Sequence, residues 1–419
     1  MTPSSPTAAP CARWSAGDAE RRLAAVLGLA TRAVPVLATP VAGEPADALL
    51  KRIKLVAESA LLLHVAAAVP GLDQETEALA DVIEPHARSL RLLTAMRLRP
   101  CLTEELAVPH SVLTSIGRPD PAFEREVRTL LATPQARQVE RVPWKDLEAA
   151  WHARLAGRAP LVDPAASVPR TTVALGLDVL TARRDERYAF THGLIYLTGF
   201  GADRAMLPRP SDVLVEEVDG ALAACLDDDD FDLAAEVLMT WPYIREPWTP
   251  TGAFGLGVLG RVEDEVGILP SLTLQQPAAE DLADDEERDR YYLQEAYHTA
   301  YVMGLLCAAT LRADADPRCH AGGDERSPAP PIPGASATLM ELLLPRPQRP
   351  QWEQDFAALD AATQDELAPF VAAVALRRAV SASDPGHLHR VLSACVALGL
   401  PLDLAIRQGA ELLQRLVAD

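Results

Sequence analysis

Two stretches of the chain set histidine beside tyrosine and carboxylate at helical spacing: Tyr188-Ala-Phe-Thr-His192-Gly-Leu-Ile-Tyr196 and Tyr291-Tyr-Leu-Gln-Glu295-Ala-Tyr297-His298-Thr-Ala-Tyr301. On helices, residues three and four apart lie on one face, so His192 shares a face with Tyr196, and Glu295, His298 and Tyr301 share another. Imidazole titrates near neutral pH and serves as acid, base or metal ligand. A nearby carboxylate fixes its tautomer, and a phenol donates to a developing anion. The candidate catalytic residues are therefore His192, Tyr196, Glu295, His298 and Tyr301. If a divalent transition metal is the cofactor, His192, Glu295 and His298 are its candidate ligands. Glu295-x-x-His298 has the spacing of carboxylate-bridged di-metal bundles, which need two such motifs plus two more carboxylates; a second such motif is not present. The bland alternative for the same residues is a buried structural hydrogen-bond network.

Helices must position these faces. From Ala19 to about Arg97 apolar residues recur at three and four, as in Leu50, Ile53, Val56, Ala57, Ala60 and Leu61, and period-2 alternation is not sustained anywhere. The expected fold is all-α: a lead-in over residues 1–16, a helical N-terminal part over 17–160, and an α/α-hairpin array over 161–419, open or closed into a toroid. Ala224-Cys225-Leu with Phe231 to Leu238, and Ala394-Cys395-Val with Leu402 to Leu413, form a weak internal repeat of two hairpins. Residues 314–351, rich in proline, are expected as a surface loop with a short helix.

Composition narrows the function. With 419 residues and 49% hydrophobic content the chain can bury a large core, and it lacks an apolar run long enough to span a membrane, so a cytoplasmic location is expected. A net charge of -20 argues against nucleic acid, which demands a basic footprint. The cysteines, Cys11, Cys101, Cys225, Cys307, Cys319 and Cys395, show no CxxC pair and read as reduced thiols. Lys51, Lys54 and Lys145 are the only lysines, a bias matching high-GC actinobacterial genomes.

Other motifs read mostly as structure. Asp227 to Asp230 contains a DxDD pattern, yet its place between two helices suggests capping of the second helix and a solvated acidic face, or a Mg-binding rim. Gly255, Gly257 and Gly260 fit GxGxxG, but Pro247 and Pro250 leave no room for a preceding strand, so a close-packed helix is expected. His64, in a very apolar run, reads as a core histidine. His387 and His389 begin a helix. Cys319-His320 resembles the Cys-His step that supplies two zinc ligands in lanthionine cyclases, but the cysteine motif that should precede it is missing and the surrounding loop is rich in Gly and Pro, so a loop without zinc is expected. Trp144 and Trp151, seven apart, line one helical face that is either a seam or a lid.

The segment VLGRVEDEVGILPSL, followed by a loop and YHTAYVMGLLCA, resembles the hairpin signature of the α/α-toroid superfamily, which includes terpenoid cyclases and prenyltransferase β subunits. In that superfamily a Q-x-x-D-G-like turn precedes an inner helix, and here Arg261 stands where a Gln is usual. THGLIYLTGFG also resembles a feature of an uncharacterised actinobacterial all-helical family. The resemblance spans residues 170 to 419 and implies inner helices pointing side chains at a central cavity. On this reading the expected function is an enzyme of natural-product biosynthesis acting on a small-molecule or peptide substrate by acid/base or metal-assisted cyclisation, elimination or transfer. The alternatives are a non-catalytic helical-repeat scaffold that binds a partner through its acidic face, and a class II terpenoid-cyclase-like enzyme using Asp227 to Asp230.

Overall fold

Every regular element is helical among the residues described in a computed structural model of the chain, namely 14–39, 48–138, 140–203, 207–272, 285–313 and 331–418. The helices of eight residues or more are α1 (Ala16–Ala38), α2 (Ala48–Ala66), α3 (Asp73–Ala87), α4 (Leu90–Leu98), α5 (Val108–Ser115), α6 (Pro121–Leu131), α7 (Pro143–Leu155), α8 (Arg184–Leu197), α9 (Ser211–Asp227), α10 (Phe231–Leu238), α11 (Pro250–Val266), α12 (Asp285–Arg312), α13 (Ala368–Ser381), α14 (Pro385–Leu398) and α15 (Leu404–Ala418). No described helix is long and apolar enough to cross a membrane.

Local chemistry sets the starts and stops. Ser15 and Asp18 form a reciprocal capping box at the head of α1. Asp230 accepts a hydrogen bond from Leu233 N to begin α10, and Thr249 with Pro250 begins α11. Gly267, at φ 89°, ends α11 in the left-handed region.

Packing then joins the two ends of the sequence. Buried Leu23, Val26, Leu27, Ala30 and Val34 form the inner stripe of α1, which lies along α12. Gly304 makes the close approach possible, since a Cβ there would come within 2.8 Å of Val26 Cγ1 and 3.0 Å of Leu62 Cδ1. The main apolar core runs from Trp14 to Ile406 and is continuous across residue 160, while a smaller one gathers Leu92, Met96, Leu106, Phe123 and Val127. Both members of the sequence repeat are helical hairpins, α9 with α10 and α14 with α15, although α10 has 8 residues and α15 has 15.

One closed circuit of neighbours organises the site. α2 packs on α5, α5 on α7, α7 on α8, α8 on α10, α10 on α12, and α12 returns to α2. Behind this ring, α9 backs α10 and leads outward through α13 and α14 to α15. Gly255 and Gly260 of α11 meet Leu222 and Trp14 at close range, so the glycine pattern is a packing surface, as expected.

The acidic run corrects one expectation. Asp227 is fully buried and accepts from Arg378 Nη2 at 2.6 Å, from Arg346 Nη1 at 2.8 Å and from the Trp352 indole at 3.3 Å. Asp228 pairs with Arg187, Arg346 and Arg377, and Arg184 binds Asp230. Asp229 accepts from Gln351 N. Only the capping role of Asp230 survives from the sequence reading. The missing positive charges come from segments far along the chain, which local sequence around Asp227 does not reveal. Acids neutralised in this way are poor Brønsted acids and leave no open Mg-binding rim. Cys11, Cys319 and His320 lie outside the described residues, as do residues 314–330 of the expected loop; its short helix is Ala335–Met340.

Candidate functional site

Helices α2, α7, α8, α10 and α12 each turn polar side chains toward the interior of the ring. α10 links the two histidines. Its Asp232 and Glu236 are four apart and so share a face. Asp232 Oδ1 lies 3.4 Å from His298 Nε2 on α12, and Glu236 Oε2 lies 3.4 Å from His192 Nδ1 on α8. The two imidazoles that the sequence singles out are therefore bridged by one turn of α10.

His298 is clamped. Its Nδ1 is 3.1 Å from Glu58 Oε1 of α2 while its Nε2 faces Asp232, so both ring nitrogens look at carboxylates. Burial disfavours the charged ring, but Glu58 and then Asp232 outweigh it and push His298 up to about 9. In return His298, Lys54 and the Tyr297 hydroxyl hold Glu58 below its ordinary value despite burial. Burial, reinforced by Glu236 and only partly offset by His298, pushes Asp232 up to about 6. The His298 side chain keeps 32% of its surface open while both ring nitrogens face carboxylates, so the ring sits in a recess between α2, α10 and α12 that is open to solvent.

His192 is held differently. Its Nδ1 lies 3.2 Å from the Tyr188 carbonyl, which can only accept, so the proton of the neutral ring sits on Nδ1. Thr191 Oγ1 donates to Glu236 Oε2 at 2.6 Å, fixing the carboxylate that faces the same nitrogen. Burial works against the Glu236 charge, but His192 and Thr191 hold it below its ordinary value. The polar contacts of His192 run through Nδ1, which leaves Nε2 as a lone pair without a partner among the described residues. The ring stacks on Tyr188 at 3.8 Å between centroids and meets the edge of Trp144 at 4.9 Å.

Helix α7 supplies a ladder facing α8. Trp144, Glu148 and His152 are spaced by four, opposite Tyr188, His192, Tyr196 and Phe200. Tyr196 donates to Glu148 Oε1 at 2.8 Å, and Lys145 Nζ holds Glu148 Oε2 at 2.6 Å while standing 4.7 Å from the Trp144 ring centroid. Trp151 packs against Tyr196, Phe200 and His64, with centroid distances of 5.9, 4.9 and 5.3 Å. Trp151 is thus seam, and Trp144 covers His192. His64 behaves as a core residue, with burial pushing it down to about 4.

Of the five residues expected to be catalytic, four line this interior. Tyr301 is buried against α2, its hydroxyl accepting a 3.0 Å hydrogen bond from Ser59 Oγ. Glu295 is the exception and a correction: the carboxylates on His298 are Glu58 and Asp232. The His298 ring turns to the seam where α2 and α10 meet α12, and carboxylates from those helices reach it. The expected ligand set His192, Glu295 and His298 fails with it, and among the described residues no three His, Cys, Asp or Glu side chains converge as metal ligands. Glu58, Glu148, Asp232 and Glu236 are site residues that the sequence reading misses. Asp232 and Glu236, two acids four apart in the otherwise apolar α10, carry the one local signal.

A family model described as a domain of unknown function (DUF6895) matches residues 23–308, most of the chain, and the chain belongs to that family. Every residue of the polar interior falls within the matched segment. No curated protein and no solved structure matches the chain.

Proposed function

We propose that this chain is an enzyme that moves protons on a small molecule held in the recess, with His192 as general base and His298 as general acid. The observation that carries the reading is the asymmetric treatment of two imidazoles bridged by one helical turn. His192 has its Nδ1 proton directed at a carbonyl and a carboxylate, so Nε2 presents its lone pair; His298, between Glu58 and Asp232, stays an imidazolium at neutral pH. Glu236 orients and stabilises the ring that accepts a proton, while Glu58 and Asp232 keep the other ring charged until it gives one up. Such a pair serves proton abstraction next to an activating group, with isomerisation, elimination or transfer as the classes that follow.

Solvent deuterium tests the reading without a named substrate, because proton abstraction exchanges the abstracted hydrogen with water. The protein is incubated in D2O with a broad mixture of metabolites, and deuterium uptake is followed by mass spectrometry. At least one compound is expected to gain deuterium with wild type and not with H192A or H298A. No uptake with wild type, or equal uptake with either variant, refutes the assignment.

A further inference from the structure

Among the described residues, the recess is short of one cation and of two hydrogen-bond donors. Around His298 the acceptor atoms Glu58 Oε2 and Asp232 Oδ1 are buried without an aligned hydrogen-bond partner, as is the donor His298 Nδ1. His298 Nδ1 lies 3.1 Å from the other Glu58 oxygen, Oε1, and His298 Nε2 lies 3.4 Å from Asp232 Oδ1 without alignment; the Tyr297 hydroxyl serves Glu58 and Arg184 serves Asp232 Oδ2, so each carboxylate keeps one oxygen without a donor. Buried acceptors of this kind are costly unless something donates to them.

Charge points the same way. Glu58, Asp232 and Glu236 face the recess, while the fixed cations beside them are His298 and Lys54, the latter 3.5 Å from Glu58 Oε1. Arg184 also reaches Asp232, at 3.3 Å, but it is matched by Asp230, which it binds at 2.7 Å. Among the described residues, one carboxylate charge therefore has no fixed counterion of its own. Aromatic rings stand beside both histidines: Tyr297 lies 6.3 Å from the His298 ring and 5.4 Å from Tyr301, and Tyr188 and Trp144 flank His192. Trp144 already receives one ammonium, that of Lys145, so its ring has the electrostatics that cations favour.

We propose that the recess binds a primary ammonium group, with Glu58 and Asp232 accepting its N–H donors and the Tyr297, Tyr188 and Trp144 rings enclosing the attached carbon skeleton. This names the substrate class of the reaction proposed above and rests on that reading for its chemistry, but not for binding. A primary ammonium carries the missing charge and at least two donors in one group. A neutral alcohol carries one donor and no charge, and an anion would be repelled by the three carboxylates.

The probe is phenethylamine, protonated at neutral pH, titrated calorimetrically into the full chain beside its neutral analogue 2-phenylethanol. The amine is expected to bind and the alcohol to bind at least about tenfold more weakly. E58Q and D232N are each expected to weaken amine binding by about tenfold or more, the loss typical of a charge-assisted hydrogen bond. Equal binding of alcohol and amine by wild type overturns the proposal whatever the variants do, and so does amine affinity unchanged in both E58Q and D232N. Amine binding without deuterium uptake in any metabolite supports the ammonium site while refuting the catalytic reading. Uptake in a neutral or anionic metabolite with no amine binding does the reverse.

Discussion

His152 offers the most direct measurement of how dry the interior is, because its ring is buried with neither nitrogen hydrogen-bonded. Burial is the leading influence and pushes it from an ordinary 6.5 down to about 4, although Glu148 pulls the other way. The sign follows from proton uptake. Between those two values the unfolded chain binds a proton that the folded chain refuses, so stability falls as pH falls from 6.5 toward 4 and is flat outside that window. A gap of about 2.5 at 1.36 kcal/mol per pH unit makes the full loss about 3 kcal/mol, of which about 2 kcal/mol has gone by pH 5. That is a large part of a typical stability of about 5–15 kcal/mol.

His152→Leu removes the titration and the two unpaired nitrogens, each worth about 1–3 kcal/mol when left unsatisfied, at the cost of an imperfect fit in the core. Urea denaturation followed by circular dichroism at pH 7.5, 6 and 5 compares the variant with wild type. The stability difference should shift by about 2 kcal/mol in favour of the variant between pH 7.5 and pH 5. His64, pushed down to about 4 by the same cause, is present in both proteins and cancels from the difference. A difference that does not change with pH would refute the reasoning, because it would mean that the His152 ring is either solvated or charged in the fold.

Four further outcomes are expected. Glu58→Gln removes the main force raising His298 and should lower its titration in an NMR pH series; the stabilisation from this ion pair, present below 6.5 and lost as pH rises through about 9, should shrink with it. Glu295→Gln should leave the His298 titration where it is, and a drop comparable to that of Glu58→Gln would restore Glu295 as its partner. Asp227→Asn leaves Arg378 and Arg346 facing a neutral amide and should destabilise the fold by about 3–5 kcal/mol in denaturant melts, against under about 1 kcal/mol for an exposed pair. Gly220→Ala places a Cβ 2.6 Å from Val179 Cβ and should cost about 1–3 kcal/mol, largely recovered in the double variant Gly220→Ala with Val179→Ala.

The helical character of the chain is legible because it rests on local periodicity: the inner stripe of α1 and the caps at Ser15 and Thr249 can be read within a few residues. That His192 and His298 meet neighbouring helices through their rings is legible for a similar reason, since each stands beside tyrosines at helical spacing. Their partners are not. Glu58 and His298 are 240 residues apart, and only the pairing of α1 and α2 with α12 joins them. Glu295 is the carboxylate nearest to His298 in sequence without being the nearest in space, and the same gap in reverse makes Asp227 to Asp230 look solvated when distant arginines bury them. Charge pairing in a helical ring is set by which helices adjoin, and the periodicity of a single helix does not contain that information.

The cost of the interior bears on why it exists. A ring of helices this apolar has no need of buried carboxylates: replacing a buried ion pair by well-packed apolar side chains is often neutral or stabilising, by about 1–4 kcal/mol. Asp227 and Arg378 show that this chain can satisfy a buried acid when the role is to brace helices, with several donors on both oxygens. Glu58 and Asp232 each keep one oxygen without an aligned donor, although both carboxylates are in reach of His298 and lie on well-packed helices. The contrast within one molecule separates the two roles. The braced acids hold α9 to α13, whereas the unsatisfied ones face the recess, where an incoming group can complete them; that difference, more than the presence of histidine, favours a site over a strut.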